Sequence, residues 1–135
     1  MPDKLTTSVA KMVEDAKASI DEISVEEAIT KMENEGVLIV DIRDIRERQR
    51  EGFIPGSFHC PRGMVEFWID PESPYYNTKF EENTTFLFHC AVDWRSALTV
   101  ETINKMGFKG ASHIQGGFNA WREHGGPVEK NEKGK

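Results

Sequence analysis

The chain has 135 residues, 38% of them apolar and 30% charged, with a formal net charge of −6. This is enough chain for about one domain with a single core, at ordinary globular composition. The acidic balance excludes the basic footprint of a nucleic-acid binder. The two cysteines, Cys60 and Cys90, have neither a disulfide-framework spacing nor a metal-ligand spacing.

In chain order, residues 4–19 predict an amphipathic helix with Leu5, Val9, Met12, Val13 and Ala16 on one stripe. Residues 20–23 fit a short strand. Ser24 and Glu27 form a capping box that opens a helix carrying Val25, Ala28, Ile29 and Met32 on one face, ended by Gly36. Residues 37–40 are continuously apolar, the pattern of a strand covered on both faces. A charged helix is expected after Asp41, and the Arg43–Arg50 stretch, interleaved with Asp44 and Glu47, reads as a solvated face. A turn at 52–55 leads to a short strand at 57–60. A helical turn rich in aromatics covers 63–70, with Met64, Val65, Phe67 and Trp68 as core or pocket rim. Residues 71–77 read as a surface loop.

Residues 85–89 predict a buried strand. Residues 96–106 carry helical periodicity (Ala97, Val100, Ile103, Met106), closed by Gly107. A last strand falls at 111–114 and a last helix at about 117–123, stopped by Gly125-Gly126-Pro127. Residues 129–135 are a charged tail, expected to be mobile. Strand–helix alternation of this kind argues for an α/β sandwich around a mostly parallel sheet, in which ligands bind beyond the C-terminal strand ends.

Cys90 falls at such an end, between a strand and a helix, five residues before Arg95. The intervening loop could curl its backbone N–H groups around the sulfur, with the partial positive charge of a helix N-terminus behind it. A thiol in that setting is expected to ionise more readily than a free one. Arg95 would add a permanent charge and a bidentate fork for an oxyanion. The combination predicts a sulfur nucleophile with an anion pocket.

Three stretches resemble the rhodanese family of sulfurtransferases over about residues 20–128. Asp41-Ile42-Arg43, followed by a charged helix with Glu47 and then Gly52-Phe53-Ile54-Pro55-Gly56-Ser57, is similar to the family's N-terminal signature. Cys90 with Arg95 is similar to its active-site loop. Gly116-Gly117-Phe118 with Ala120-Trp121 and Gly125-Gly126-Pro127 is similar to its C-terminal signature. The resemblance implies an α/β domain with a central, mostly parallel five-stranded sheet flanked by helices on both faces. An N-terminal helical extension (1–19) would precede it.

It also implies a Cys90 persulfide that takes sulfane sulfur from a donor and passes it to cyanide or a thiol, a ping-pong scheme. Ala91, Val92, Asp93, Trp94 and Arg95 would bind the substrate, through a cradle of N–H groups that stabilises the anion. Asp41 and Arg43 would hold the fold. No metal or organic cofactor is implied. The expected partners are a small-molecule donor and acceptor or a protein sulfur acceptor, with no nucleic acid and no membrane, and the chain is expected to be a monomer. With no apolar run of a signal peptide in the opening residues and none long enough to span a bilayer, the expected location is the cytoplasm.

Several residues admit two readings. Asp93 departs from the small residue usual at its position. Facing the pocket, it would oppose a dianion such as thiosulfate by about 4 kcal/mol for charges ~4 Å apart at an effective dielectric near 20. Otherwise it turns outward or caps the next helix through the N–H of Arg95 or Ser96. Arg95 is placed in the pocket, with a surface helix position as the alternative. Trp94 is a pocket wall or a partly buried packing residue. Cys60 is a resolving thiol or a small hydrophobe, and Arg62 an anion attractant or a surface charge.

Two other functions compete with sulfur transfer. Cysteine–arginine loops also serve phosphatases and arsenate reductases, but phosphatases of this fold place five residues between cysteine and arginine, against four here. A sulfur-carrying or scaffold module that serves a protein partner is the other alternative.

Overall fold

The apolar runs at 37–41 and 85–89 pair in parallel along their whole length, from Val37 opposite Thr85 to Asp41 opposite His89. Their side chains alternate between two cores. Leu38, Val40, Phe86 and Phe88 enter one apolar cluster, and Ile39 and Leu87 enter the other. A strand covered on both faces has no polar side to offer, which is why these segments read as unbroken hydrophobic stretches.

The computed structural model describes residues 3–130. The helices are α1 (Val9–Ser19), α2 (Val25–Lys31), α3 (Ile45–Glu51), α4 (Val65–Ile69), α5 (Lys79–Glu82), α6 (Trp94–Lys105) and α7 (Gly117–Glu123). The strands are β1 (Glu22–Ile23), β2 (Val37–Asp41), β3 (Phe58–His59), β4 (Thr85–His89) and β5 (Ala111–Ile114), and a 3-10 turn over Arg62–Met64 precedes α4. All five strands are parallel, in the order β1-β5-β4-β2-β3. Val100 and Ile103 of α6, Val65 and Ile69 of α4 and Phe80 of α5 cover one face, while Ala28 of α2 and Phe118 and Trp121 of α7 cover the other. β2 has β3 on one side and β4 on the other, so the chain changes direction across the sheet there. The carboxyl ends of β2 and β4 meet at this switch point, where α/β sheets place their ligands.

The capping box of Ser24 and Glu27 is present as expected. A second one, Asp44 with Glu47, starts α3; each cap stabilises its helix by about 1 kcal/mol. The N-terminal helix starts at Val9 rather than residue 4, because the Ser8 side chain accepts from Lys11 N at 3.0 Å. Of the expected stripe, Val13 and Ala16 are buried, against Ala97 of α6, whereas Leu5 (81%), Val9 and Met12 are exposed. The reading of Arg43–Arg50 as a solvated face is corrected at Arg43, which is wholly buried, and at Arg48, which reaches Asp41. Of the tail expected to be mobile, Glu129 exchanges two backbone hydrogen bonds with Phe53 (2.8 and 2.9 Å), and residues 131–135 lie outside the described residues. The C-terminal Gly-Gly-Pro has a packing reason. Trp121 Nε1 donates to Pro127 O at 2.7 Å, and a Cβ on Gly126 would fall 2.5 Å from that same nitrogen.

Candidate functional site

β4 delivers Cys90 to the switch point, and the loop 90–93 leads straight into α6. Cys90 is 1% exposed. Its sulfur receives the Ser96 N–H at 3.4 Å and lies 3.5 Å from Ser96 Oγ. The loop's carbonyls are held from outside. Phe118 N donates to Cys90 O at 2.8 Å, Asn119 N to Ala91 O at 3.0 Å, and the His89 ring, through Nδ1, to Cys90 O at 3.0 Å. Gly117 (φ 61°) lets α7 come this close, since a Cβ there would fall 2.5 Å from Cys90 O and 2.8 Å from the Ala91 carbonyl carbon. With the carbonyls turned toward α7, the N–H groups of Ala91 to Arg95 have no protein acceptor among the described residues. These five successive donors lie in the loop before α6 and in the first residues of that twelve-residue helix.

Beneath the loop lies a buried ionic cluster. Arg43 Nε and Nη2 contact the Asp41 carboxylate at 3.0 and 2.8 Å, and Nη2 also donates to Gly52 O at 2.9 Å. The Arg43 guanidinium stacks 4.1 Å over the Phe118 ring, and Arg48 Nη1 reaches Asp41 at 3.0 Å. Burial alone would raise the Asp41 carboxyl; the hydrogen bonds and charge of the paired Arg43 reverse this and hold it well below the usual carboxylate range. Burial lowers His89, keeping its ring neutral. Asp41 and Arg43 therefore tie β2 to α3, α7 and the turn at Gly52.

Arg95 is engaged elsewhere than the sequence implied. Its Nη1 and Nη2 donate to the two Glu47 oxygens at 2.9 and 3.1 Å, and its side chain is 42% exposed. The Arg95 hydrogen bonds lower the Glu47 carboxyl against the opposing effect of burial. Asp93 does not take the capping role open to it. Its Oδ1 accepts from Gly116 N at 2.7 Å and its Oδ2 pairs with Lys17 Nζ of α1 at 3.2 Å, so it does not cap α6. Val92 (49%) and Trp94 (47%), on either side of it, are each about half exposed. Cys60 is buried in the same apolar cluster as Cys90, and burial, with Glu66 adding to it, pushes its thiol up to about 12. That is the setting of a small hydrophobe. Arg62 is paired with Glu66 at 2.9 Å.

Sequence reasoning missed Ser96, His113, Glu22 and Lys17. Ser96 Oγ lies 2.8 Å from His113 Nδ1, His113 Nε2 lies 2.7 Å from Glu22 Oε2, and Lys17 bridges Asp93 and Glu22. The available signal was His113, a histidine inside an otherwise buried strand, where an ionisable group needs a partner. Among the described residues no group of three or more His, Cys, Asp or Glu side chains could hold a metal ion. No helix among them is long and apolar enough to cross a membrane.

The sequence profile described as "Rhodanese-like domain" matches residues 24–124. A mouse protein named "Thiosulfate sulfurtransferase/rhodanese-like domain-containing protein 3" is 26% identical, covering 75% of this chain and 68% of its own length. The Actinobacillus pleuropneumoniae thiosulfate sulfurtransferase GlpE is 29% identical over 80% of this chain and 92% of its own. The Bacillus subtilis "Putative sulfur carrier protein YrkF" is 31% identical over 77% of this chain, which spans about half (52%) of that protein. Among solved structures, a Rhodopseudomonas palustris protein of unknown function, described as "Possible Tyrosine Phosphatase", is 49% identical with a TM-score of 0.90, covering 96% of this chain and 99% of its own.

Proposed function

We propose that this chain, which belongs to the rhodanese-like domain family, moves sulfane sulfur through a persulfide on Cys90. The observation that carries the reading is the loop itself: a cysteine whose following carbonyls are held by α7 while five N–H groups are left for an anion. The Cys90 thiolate attacks the outer sulfur of thiosulfate or of a persulfide donor. The new S–S bond forms as the donor's S–S bond breaks, and the electron pair leaves on sulfite or the donor thiolate. The persulfide anion that results is stabilised by the N–H groups of Ala91 to Arg95 and by the start of α6. Cyanide or a thiolate then takes the terminal sulfur and returns Cys90 as thiolate, with charge conserved at each step. Arg95, through Glu47, fixes the loop against α3. The names of the mouse and Actinobacillus relatives support sulfur transfer from thiosulfate, and that of YrkF supports a chain that carries sulfur.

The Rhodopseudomonas likeness favours a second reading, hydrolysis of a phosphate ester. Such chemistry asks for an arginine fork on the phosphate and an acid for the leaving group. Here Arg95 is held by Glu47, and Asp93 by Lys17 and Gly116. Parallel assays separate the two: thiocyanate formation from thiosulfate and cyanide, and hydrolysis of an aryl phosphate, each with Cys90→Ser as control. Cys90-dependent sulfur transfer exceeding phosphate hydrolysis is expected; the reverse ranking overturns the reading.

A further inference from the structure

The hydrogen bonds at Cys90 continue away from the sulfur in one unbroken line. Ser96 Oγ is 3.5 Å from Cys90 Sγ and 2.8 Å from His113 Nδ1, and His113 Nε2 is 2.7 Å from Glu22 Oε2. Four elements build it: the ends of β4 and β1, the first turn of α6, and β5. Parallel pairing places Glu22 directly opposite His113. Cys90, Ser96 and His113 are buried, and only Glu22 reaches solvent. One proton arrangement satisfies every contact along this line. The His113 Nε2–H donates to the Glu22 carboxylate, which leaves Nδ1 bare. Nδ1 accepts the Ser96 O–H, and a Ser96 lone pair accepts the Cys90 S–H. The competing acceptor for the Ser96 hydroxyl, Asp93 O, is farther away at 3.3 Å.

We propose that Ser96, His113 and Glu22 are positioning residues that form a proton relay for Cys90, so that His113 holds the thiol proton while the sulfur reacts. The S–H proton passes to Ser96 Oγ as the Ser96 proton passes to His113 Nδ1. The electron pair of the S–H bond stays on sulfur. The imidazolium formed donates from both nitrogens, to Ser96 Oγ and to Glu22, and Ser96 turns its O–H onto the thiolate.

The charged groups around this line come from several elements. Glu22 faces His113 from β1, Asp93 lies at the loop, and Lys17 of α1 sits 3.2 Å from Asp93 and 3.9 Å from Glu22. Two carboxylates thus share one ammonium on this side. Among the described residues the neighbouring β4 sets Phe88 opposite His113 in register, and Arg95 of α6 is turned to Glu47. Lys17 and Glu22 precede residue 24, where the family match begins, so the relay is completed by this chain's own N-terminal segment. This inference rests on the reading of Cys90 as the reacting sulfur.

The test is a pH titration of the Cys90 thiolate by its ultraviolet absorbance in the full chain, as a difference from Cys90→Ser, in wild type, Ser96→Ala, His113→Asn and Glu22→Gln. The Ser96 and His113 variants are expected to move the midpoint upward by at least about one unit, with a smaller shift in the same direction for Glu22→Gln. The His113 ring resonances should report an imidazolium that appears with the thiolate, which a purely structural contact would not produce. Should His113→Asn fail to fold, Glu22→Gln, changed at a part-exposed side chain, decides the matter. Unmoved midpoints in both Ser96→Ala and Glu22→Gln overturn the relay. A shifted midpoint in a protein that forms no persulfide would leave the relay standing and remove the sulfur-transfer reading. Persulfide formation with unmoved midpoints would do the opposite.

Discussion

Gly117→Ala puts one methyl group where the Cys90 loop is clamped. The added Cβ would lie 2.5 Å from Cys90 O and 2.8 Å from the Ala91 carbonyl carbon, and closer still to Val92 O. Ordinary carbon contacts are ~3.5–4 Å, and the atoms met are backbone, which has no rotamer to turn aside. Either α7 or the loop must withdraw by roughly an ångström, which loses the hydrogen bonds from Phe118 N and Asn119 N to the loop carbonyls. The left-handed φ of 61° adds strain for any residue with a side chain. Overpacking and strain together cost about 2–4 kcal/mol of stability. Displacing the N–H cradle by that distance costs roughly tenfold to a hundredfold in the rate of persulfide formation. Urea denaturation reads the first quantity and stopped-flow or quenched mass analysis with thiosulfate the second. A Gly117→Ala protein with wild-type stability and an unchanged rate would refute the role given to this close approach.

Arg43→Met should lower stability by about 3–5 kcal/mol, because it leaves the buried Asp41 carboxylate with Arg48 alone and strips Gly52 O of its donor; equilibrium denaturation would show a near-neutral change if the pair were dispensable. Asp93→Gly removes the Lys17 pair and the acceptor for Gly116 N, so it should cost about 1 kcal/mol and leave thiosulfate turnover no higher. A clear rise in turnover would show that its carboxylate opposes the donor. Stability should also fall as the solution is acidified below about pH 6.5, by up to ~1.4 kcal/mol per pH unit, since the unfolded chain binds a proton that burial denies to His89. Below about pH 4 the depressed Asp41 carboxyl adds a loss of the same sign. Urea midpoints that hold constant from pH 7 to pH 5 would contradict the neutral, buried His89.

The sheet was legible because its central strands are covered on both faces: unbroken apolar runs at 37–40 and 85–88 have few other places to go. The capping box at Ser24, the Cys90 loop at a strand end and the Gly-Gly-Pro stop after the last helix were legible for the same local reason, since each is defined within a few residues. The hydrogen-bond line to Glu22 was not, because it joins residues 22, 90, 96 and 113 and exists only once strand order sets β1 beside β5. Arg95 was read as free for an anion because nothing near it in sequence competes; its carboxylate partner, Glu47, is brought by α3 from across the switch point. The N-terminal helix was drawn too long because Leu5 fits the stripe, whereas the Ser8 cap and the absence of a surface to cover Leu5 decide where it starts.

The central claim is that Cys90 carries sulfur. Intact mass of the reduced chain, taken after incubation with thiosulfate and separately with a persulfide donor, tests it directly. The account predicts a gain of one sulfur atom, reversed by reductant and absent in Cys90→Ser. No adduct from either donor, or one that persists in Cys90→Ser, would contradict it.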